Sequence, residues 1–279
     1  MKICMFVWVS QLLPTKKTLI QKLNNFIHFD PKHKMYETLP LDQILKSLKR
    51  AGVDGLELIM PPIFTDDDFK KIKKMADDHN LRILNIHQSD NSAFNIDIAE
   101  IERLCVIANK FQADKIILHV DSLKEKIFDD KFIEKLKTLQ IKYKILFCIE
   151  NMPKSIFTLG KSYAFKGEEF SEVVNKTGLS MTLDTTHMGQ VNEDICDFYI
   201  KNKVKIIDIH LSDYKTTWLN RKFLLANDTH LPLGKGELPI TKFLEILKRE
   251  NYEGVVTMEI NANLNELCQN AEIISSAFK

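Results

Sequence analysis

Polar side chains able to bind a divalent cation stand at the ends of five apolar, strand-like runs. These are ADKIILHV with His119, YKILFCIEN with Glu150, SMTLDTTH with Asp184 and His187, VKIIDIHLSD with His210 and Asp213, and GVVTMEIN with Glu259. One such ending says little, because a lone strand-end carboxylate is usually a helix cap or half of an ion pair. A lone histidine is usually just hydrogen-bonded. Several in register, each on a different strand, describe one cluster at one rim of a parallel barrel, where barrel enzymes keep their chemistry.

Strand side chains alternate in direction, so a final polar residue shares its face with every second residue before it. In KILFCIE, Glu150 shares a face with Cys148 and Leu146; in GVVTMEI, Glu259 shares one with Thr257 and Val255. Both glutamates are therefore expected to project into the barrel mouth, joined by Asp184 and His210 from the strands between them. Two glutamates, an aspartate and a histidine form a hard, oxygen-rich set with one borderline nitrogen. It suits Mn²⁺ or Mg²⁺ and can also hold Zn²⁺ or Co²⁺. Without a cation, carboxylates converging in so small a space repel one another strongly.

The elements that must position these residues show as a rhythm. Apolar runs at 2–9, 53–59, 81–87, 114–120, 143–150, 180–184, 204–210 and 254–260 alternate with stretches such as LDQILKSLKRAG, IAEIERLCVIANKF and ITKFLEILKREN. The apolar residues of those stretches recur at three- and four-residue spacing, as in helices covering a sheet. Eight such units predict one domain over residues 1–279, a closed parallel (β/α)8 TIM barrel. The chain's 279 residues sit slightly above the roughly 250 typical of that fold. The alternative, an open doubly wound sheet, lacks a GxGxxG after its first strand. Two connections, at about 10–40 and 211–239, are longer than ordinary βα loops and leave C-terminal strand ends. They are expected to lie beside the site as lids or substrate walls.

Composition narrows the function. The 39 basic residues balance 38 acidic ones for a net charge of +1, which argues against a general electrostatic footprint for nucleic acid. The first run, KICMFVWV, is too short to span a bilayer and leads into no cleavage site, so neither anchor nor signal peptide is expected. None of the five cysteines forms a CxxC pair, and Cys4 and Cys148 sit inside apolar runs, as in a reduced, cytoplasmic protein.

The segments IEN at 149–151, LDTTH at 183–187, IHLSD at 209–213, DTHLPLGKGELP at 228–239 and MEI at 258–260 make a family resemblance specific. With the βα rhythm, the chain resembles the xylose-isomerase-like TIM-barrel superfamily over essentially its whole length. That superfamily contains sugar and sugar-phosphate isomerases and epimerases alongside endonuclease-IV-type apurinic-site nucleases. The resemblance implies Glu150, Asp184, His210 and Glu259 as central metal ligands. It makes His187 a ligand of a substrate oxygen in an epimerase or of a second metal in the nuclease. The nuclease pattern also uses histidines on strands three and four and an Asp-x-His pair in the long loop, for which His87, His119, Asp228 and His230 are counterparts.

Two chemistries follow from the resemblance. In an isomerase or epimerase of a small sugar or sugar phosphate, the metal would chelate the carbonyl and adjacent hydroxyl oxygens and stabilise an enediolate. Glu150 and Glu259 would then move the proton. In the nuclease, two or three metal ions would activate water, and DNA would meet basic rim loops; the first long loop carries Lys16, Lys17, Lys22, Lys32 and Lys34. A non-catalytic binding module on the same barrel is a third class, and loss of a central ligand would mark it; none is missing. Related barrels often pair through their rim loops, so a homo-oligomer is also compatible.

Weaker signals remain open in both directions. Gly234 and Gly236 could let the backbone approach a substrate, with Lys235 meeting a phosphate, or they could form a turn into the last helix. Glu57 and Asp208 could orient a metal ligand or be partners in a buried pair. Asp213 ends its strand motif as a similar candidate. Trp8 and Trp218 could stack on a sugar face, although a Trp in an apolar strand is more often core.

Overall fold

Parallel strands covered on both faces read as nearly continuous apolar runs, and that is the character of the eight that pair here. In the computed structural model, which describes residues 1–13, 38–88, 96–123, 126, 129–153, 166–216 and 229–279, they form a closed barrel in chain order. The strands are β1 (Lys2–Trp8), β2 (Gly55–Ile59), β3 (Arg82–His87), β4 (Lys115–His119), β5 (Leu146–Glu150), β6 (Ser180–Asp184), β7 (Ile206–Leu211) and β8 (Val255–Met258). Each pairs in parallel with the next, and β8 closes onto β1. The expected TIM barrel is therefore the observed one.

The helices are α1 (Val9–Leu12), α2 (Leu41–Arg50), α3 (Asp66–Asp78), α4 (Ile98–Phe111), α5 (Val120–Leu123), α6 (Asp130–Tyr143), α7 (Gly167–Thr177), α8 (Thr185–Gln190), α9 (Ile195–Asn202), α10 (Ile240–Arg249) and α11 (Leu264–Ala277). Their apolar stripes meet the outward-facing strand residues, such as Phe147, Ile149, Leu183 and Val256, in one large core. Cys4, Leu84 and Val255 form a separate small cluster inside the barrel. No helix among the described residues is long and apolar enough to cross a membrane.

Six strands begin one to three residues later than the sequence suggests, and three of these shifts, at β2, β3 and β5, have a common cause. Gly52, Asn80, Gln112, Lys144 and Asn251 adopt positive φ after a helix. The amide of the next residue then bonds back to the helix, as in Val53 N to Leu48 O and Ile145 N to Gln140 O, both 3.1–3.2 Å. This is the Schellman C-cap, whose final position takes a hydrophobic residue. Val53, Leu81, Ala113, Ile145 and Tyr252 fill it and are buried, and Val53, Leu81 and Ile145 fall inside the apolar runs read as strands.

The other end matters more for the site. β8 stops at Met258, so Glu259 lies just beyond the strand that the sequence extends to residue 260. The helices α8 and α9, which complete the unit between β6 and β7, have no counterpart among the helical stretches singled out in the sequence. Of the two long connections, residues 14–37 and 217–228 lie outside the described residues. These include Asp228, Trp218 and the five lysines noted above.

Candidate metal centre

Glu150, Asp184, His210 and Glu259 come together at the C-terminal mouth of the barrel, with potential ligand atoms within 4.8 Å of one another. Glu150 ends β5, Asp184 ends β6, and His210 is the last inward residue of β7 in register with Asp184. His210 Nδ1 lies 3.3 Å from Glu150 Oε1 and 2.9 Å from Glu259 Oε2. Both contacts are too oblique for a formed hydrogen bond, and His210 Nδ1, Glu259 Oε2 and Asp184 Oδ2 are buried without a hydrogen-bond partner. Three orphaned donor atoms facing one point, on residues of hard-ligand type, are what a divalent cation would satisfy. The residue set therefore fits a metal.

The DxxH spacing has a local cause. Asp184 is the N-cap of α8, and its Oδ1 accepts the His187 amide at 2.7 Å. The cap turns the chain so that His187, in the first turn, comes back over the mouth while Oδ2 stays free. Cap and candidate ligand are one residue. His187 Nδ1 donates to the Asn151 carbonyl at 2.8 Å, which leaves Nε2 for a ligand. Asn151 also exchanges two bonds with the Asp184 backbone, at 2.8 and 3.1 Å, tying the β5 end to β6.

Three further groups adjoin the central one and share residues with it or with each other, the deepest being Glu57, His87 and His210. His87, His119 and Glu150 form the second; Asp184, His187 and His230 form the third. His87 Nε2 is 3.2 Å and His119 Nε2 3.4 Å from Glu150 Oε2. His230 adopts φ +53°, a conformation uncommon for a residue with a side chain. It is held there by Asn261 N donating to its carbonyl at 2.7 Å, while its Nδ1 lies 3.3 Å from Ser212 Oγ.

Electrostatics bind these groups into one system. Burial pushes the Glu150 carboxyl up, but His210, His87 and His119 outweigh it and hold Glu150 well below the usual range. Burial wins at Asp184, which is pushed well above its ordinary value despite His230, with Glu259 and Glu150 adding to the rise. Burial opposes charge on His210, but Glu57 and Glu150 raise it well above the ordinary imidazole value. His87 rises to about 9 against burial through Glu150, whereas burial takes His119 down to about 3.

Asp213 anchors a loop. Its two oxygens accept four backbone amides, from Tyr214, Gly234, Gly236 and Leu238, at 2.8–3.1 Å. A Cβ on Gly236 would meet Asp213 Oδ1 at 2.3 Å, so the glycines of PLGKGELP let the backbone close on this carboxylate. Lys235 is exposed at the tip. Asp213→Ala is expected to cost about 3 kcal/mol by orphaning those amides. Calorimetry should read this as a Tm lower by about 6 °C or more, and a Tm unchanged from the parent would refute the anchoring role.

Beneath the mouth lies a buried polar layer in which sequence reasoning found Glu57 and Asp208, placed Thr257 on the inward face without a role, and missed Asn85 and Lys115. Asn85 Nδ2 donates to Glu57 Oε2 at 2.7 Å and to Asp208 Oδ2 at 2.8 Å. Thr257 Oγ1 donates to Glu57 Oε2 at 3.2 Å, and Glu57 Oε1 lies 3.0 Å from His210 Nε2.

The family model for the xylose isomerase-like TIM barrel matches residues 45–277, and the chain belongs to that family. An uncharacterised protein of Mycobacterium tuberculosis is 19% identical over 240 residues, 77% of this chain and 81% of its own. Among solved structures, the IolI protein with a bound zinc atom superposes with a TM-score of 0.66 at 15% identity, covering 100% of this chain and 98% of that one. The D-allulose 3-epimerase of a Methylomonas species, in complex with D-allulose, gives a TM-score of 0.62 at 12% identity, covering 99% and 96%. At these identities the structural likeness is one of fold.

Proposed function

We propose that this protein is a divalent-metal-dependent isomerase or epimerase that moves a proton on a small sugar or sugar phosphate. The observation that carries the reading is the convergence of Glu150 and Glu259, from β5 and from just beyond β8, on His210 Nδ1. Glu150, Asp184, His210 and Glu259 would hold the cation. A bound cation would polarise a substrate carbonyl and stabilise the negative charge that develops when the α-proton leaves.

Glu150 and Glu259 flank the reacting carbon, one carboxylate taking the proton and the other returning it. Return to the opposite face gives epimerisation, and delivery to the neighbouring carbon gives isomerisation. His187, with Nδ1 committed to Asn151, orients a substrate oxygen through Nε2. Membership of the xylose isomerase-like family, and a fold shared with a sugar-bound epimerase, support the choice of substrate class.

One observation favours a second reading. Glu150 and Asp184 each belong to two adjacent ligand groups, an arrangement that suits bridging carboxylates of a multinuclear centre. Such a centre activates water for phosphodiester hydrolysis, as in an apurinic-site nuclease. Metal analysis of purified protein together with a screen of sugars and sugar phosphates in deuterated water decides between them. One cation per chain and α-proton exchange are expected. Two or three tightly held zinc ions with no exchange, and incision of abasic duplex DNA abolished by His119→Ala, would transfer the assignment to the hydrolase.

A further inference from the structure

We propose that Asn85 is a positioning residue of the metal centre. By joining Glu57 to Asp208 it holds Glu57 against His210 Nε2 and so dedicates His210 Nδ1 to the cation. This inference rests on the metal-binding reading above.

Asn85 is fully buried on β3. Both of its amide donors are engaged by carboxylate oxygens, on β2 and on β7, while its Oδ1 faces Lys115 Nζ at 3.5 Å. The opposite orientation of the amide would place a carbonyl oxygen against two carboxylates and the NH₂ against an ammonium, so the surroundings fix it. Glu57 Oε2 is thus held by Asn85 and by Thr257 from β8. Its other oxygen is left for His210.

A histidine ring has two nitrogens, and which one meets a metal is decided by what the other faces. Here Nε2 faces the single oxygen Glu57 Oε1 at 3.0 Å, an ion-pair contact and not a formed hydrogen bond, and Nδ1 faces Glu150 and Glu259. Asn85 touches neither the cation's ligands nor the mouth. It acts through Glu57.

The backbone is shaped to deliver this contact. Between Leu56 and Glu57 the β2–β3 register slips by one residue, so that Leu56 opposes Ile83 while Glu57 opposes Asn85. Leu84 is the extra residue of this bulge, and it packs with Cys4 and Val255 on the barrel floor. Gly55 makes the room, since a Cβ there would meet Leu84 Cγ at 2.7 Å. A second slip, between Met181 and Thr182, brings Asp208 opposite Thr182. Bulges re-aim side chains, and these two turn Asn85 and Asp208 toward each other from strands on different sides of the barrel.

The test is Co²⁺ titration of metal-free protein, read by isothermal calorimetry and by the visible d–d spectrum, which reports ligand geometry. Asn85→Leu is expected to bind Co²⁺ about 10–100-fold more weakly, with an altered visible band and unchanged secondary structure by circular dichroism. Phe170→Leu, in the core outside the barrel, is expected to lose stability while keeping the parent affinity and band. Should Asn85→Leu fail to fold, Thr257→Val removes one donor to Glu57 at nearly constant volume and is expected to weaken binding several-fold. A folded Asn85→Leu or Thr257→Val protein with the parent affinity and spectrum overturns the inference alone. A parent protein that binds no Co²⁺ overturns the metal-binding reading and the inference with it.

Discussion

In deuterated water with Mn²⁺ present, Glu259→Gln is expected to exchange the α-proton of a sugar substrate about 10²–10⁴-fold more slowly than the parent. The substitution keeps the side chain's shape and an oxygen able to face a cation, but removes the base. Glu259 is the suited probe because its side chain stays 18% exposed while that of Glu150 is 2% exposed. It lies toward the mouth, where a substrate arrives. Glu150 contacts His87, His119, His187 and His210 at 3.2–3.4 Å, so Glu150→Gln is expected to lose cation as well as turnover. Metal content measured beside exchange therefore separates the two roles. Parent levels of both in Glu259→Gln would refute the assignment of this residue.

The contrast between these glutamates shows what the sequence could and could not reveal. Glu150 ends an apolar run, and the alternation of KILFCIE is enough to aim it inward. For Glu259 the same argument runs one residue past the end of β8, and its place beside His210 depends on how the chain leaves the strand. The barrel itself was legible because burial on both faces leaves an apolar run for every strand. Strand starts were blurred where the apolar residue of a helix cap, such as Val53 or Ile145, adjoins that run.

Asn85 and Lys115 were invisible for a different reason. In RILNIH and KIILH they look like polar breaks in apolar strands, and nothing local gives their direction. The Asn85–Asp208 bond joins residues 123 apart in sequence, and the Thr257–Glu57 bond residues 200 apart. Only barrel closure makes them neighbours, and the bulges at Leu84 and Ile207 shift the alternation from which a direction would be inferred. Asp213 shows the converse. Its place in IHLSD marks it for the rim, but three of the four amides that occupy its oxygens belong to a loop 20-odd residues further on, a distance that hydrogen-bond pairing and not motif spacing defines.

The affinity of metal-free protein for Mn²⁺ or Co²⁺ is expected to rise at least about tenfold per pH unit between pH 6 and 8. His210 stands well above its ordinary value, against burial, through Glu57 and Glu150, so the metal-free fold favours the protonated ring and a cation binding at Nδ1 competes with that proton. Asp184, which burial pushes well above the carboxylate range, gives up a second proton and steepens the dependence. The stability of the metal-free fold runs the other way. His87 is raised to about 9, so its contribution is complete below the unfolded value of about 6.5 and is lost as pH climbs through about 9. Asp184, whose neutral form is favoured in the fold, likewise weakens the metal-free protein as pH rises above about 4. Scanning calorimetry from pH 6.5 to 9 is therefore expected to show the metal-free Tm falling while the increment added by a fixed excess of Mn²⁺ grows. An increment that stays flat or shrinks with rising pH would mean that the cation displaces no proton from His210, and the central ligand set would have to be redrawn.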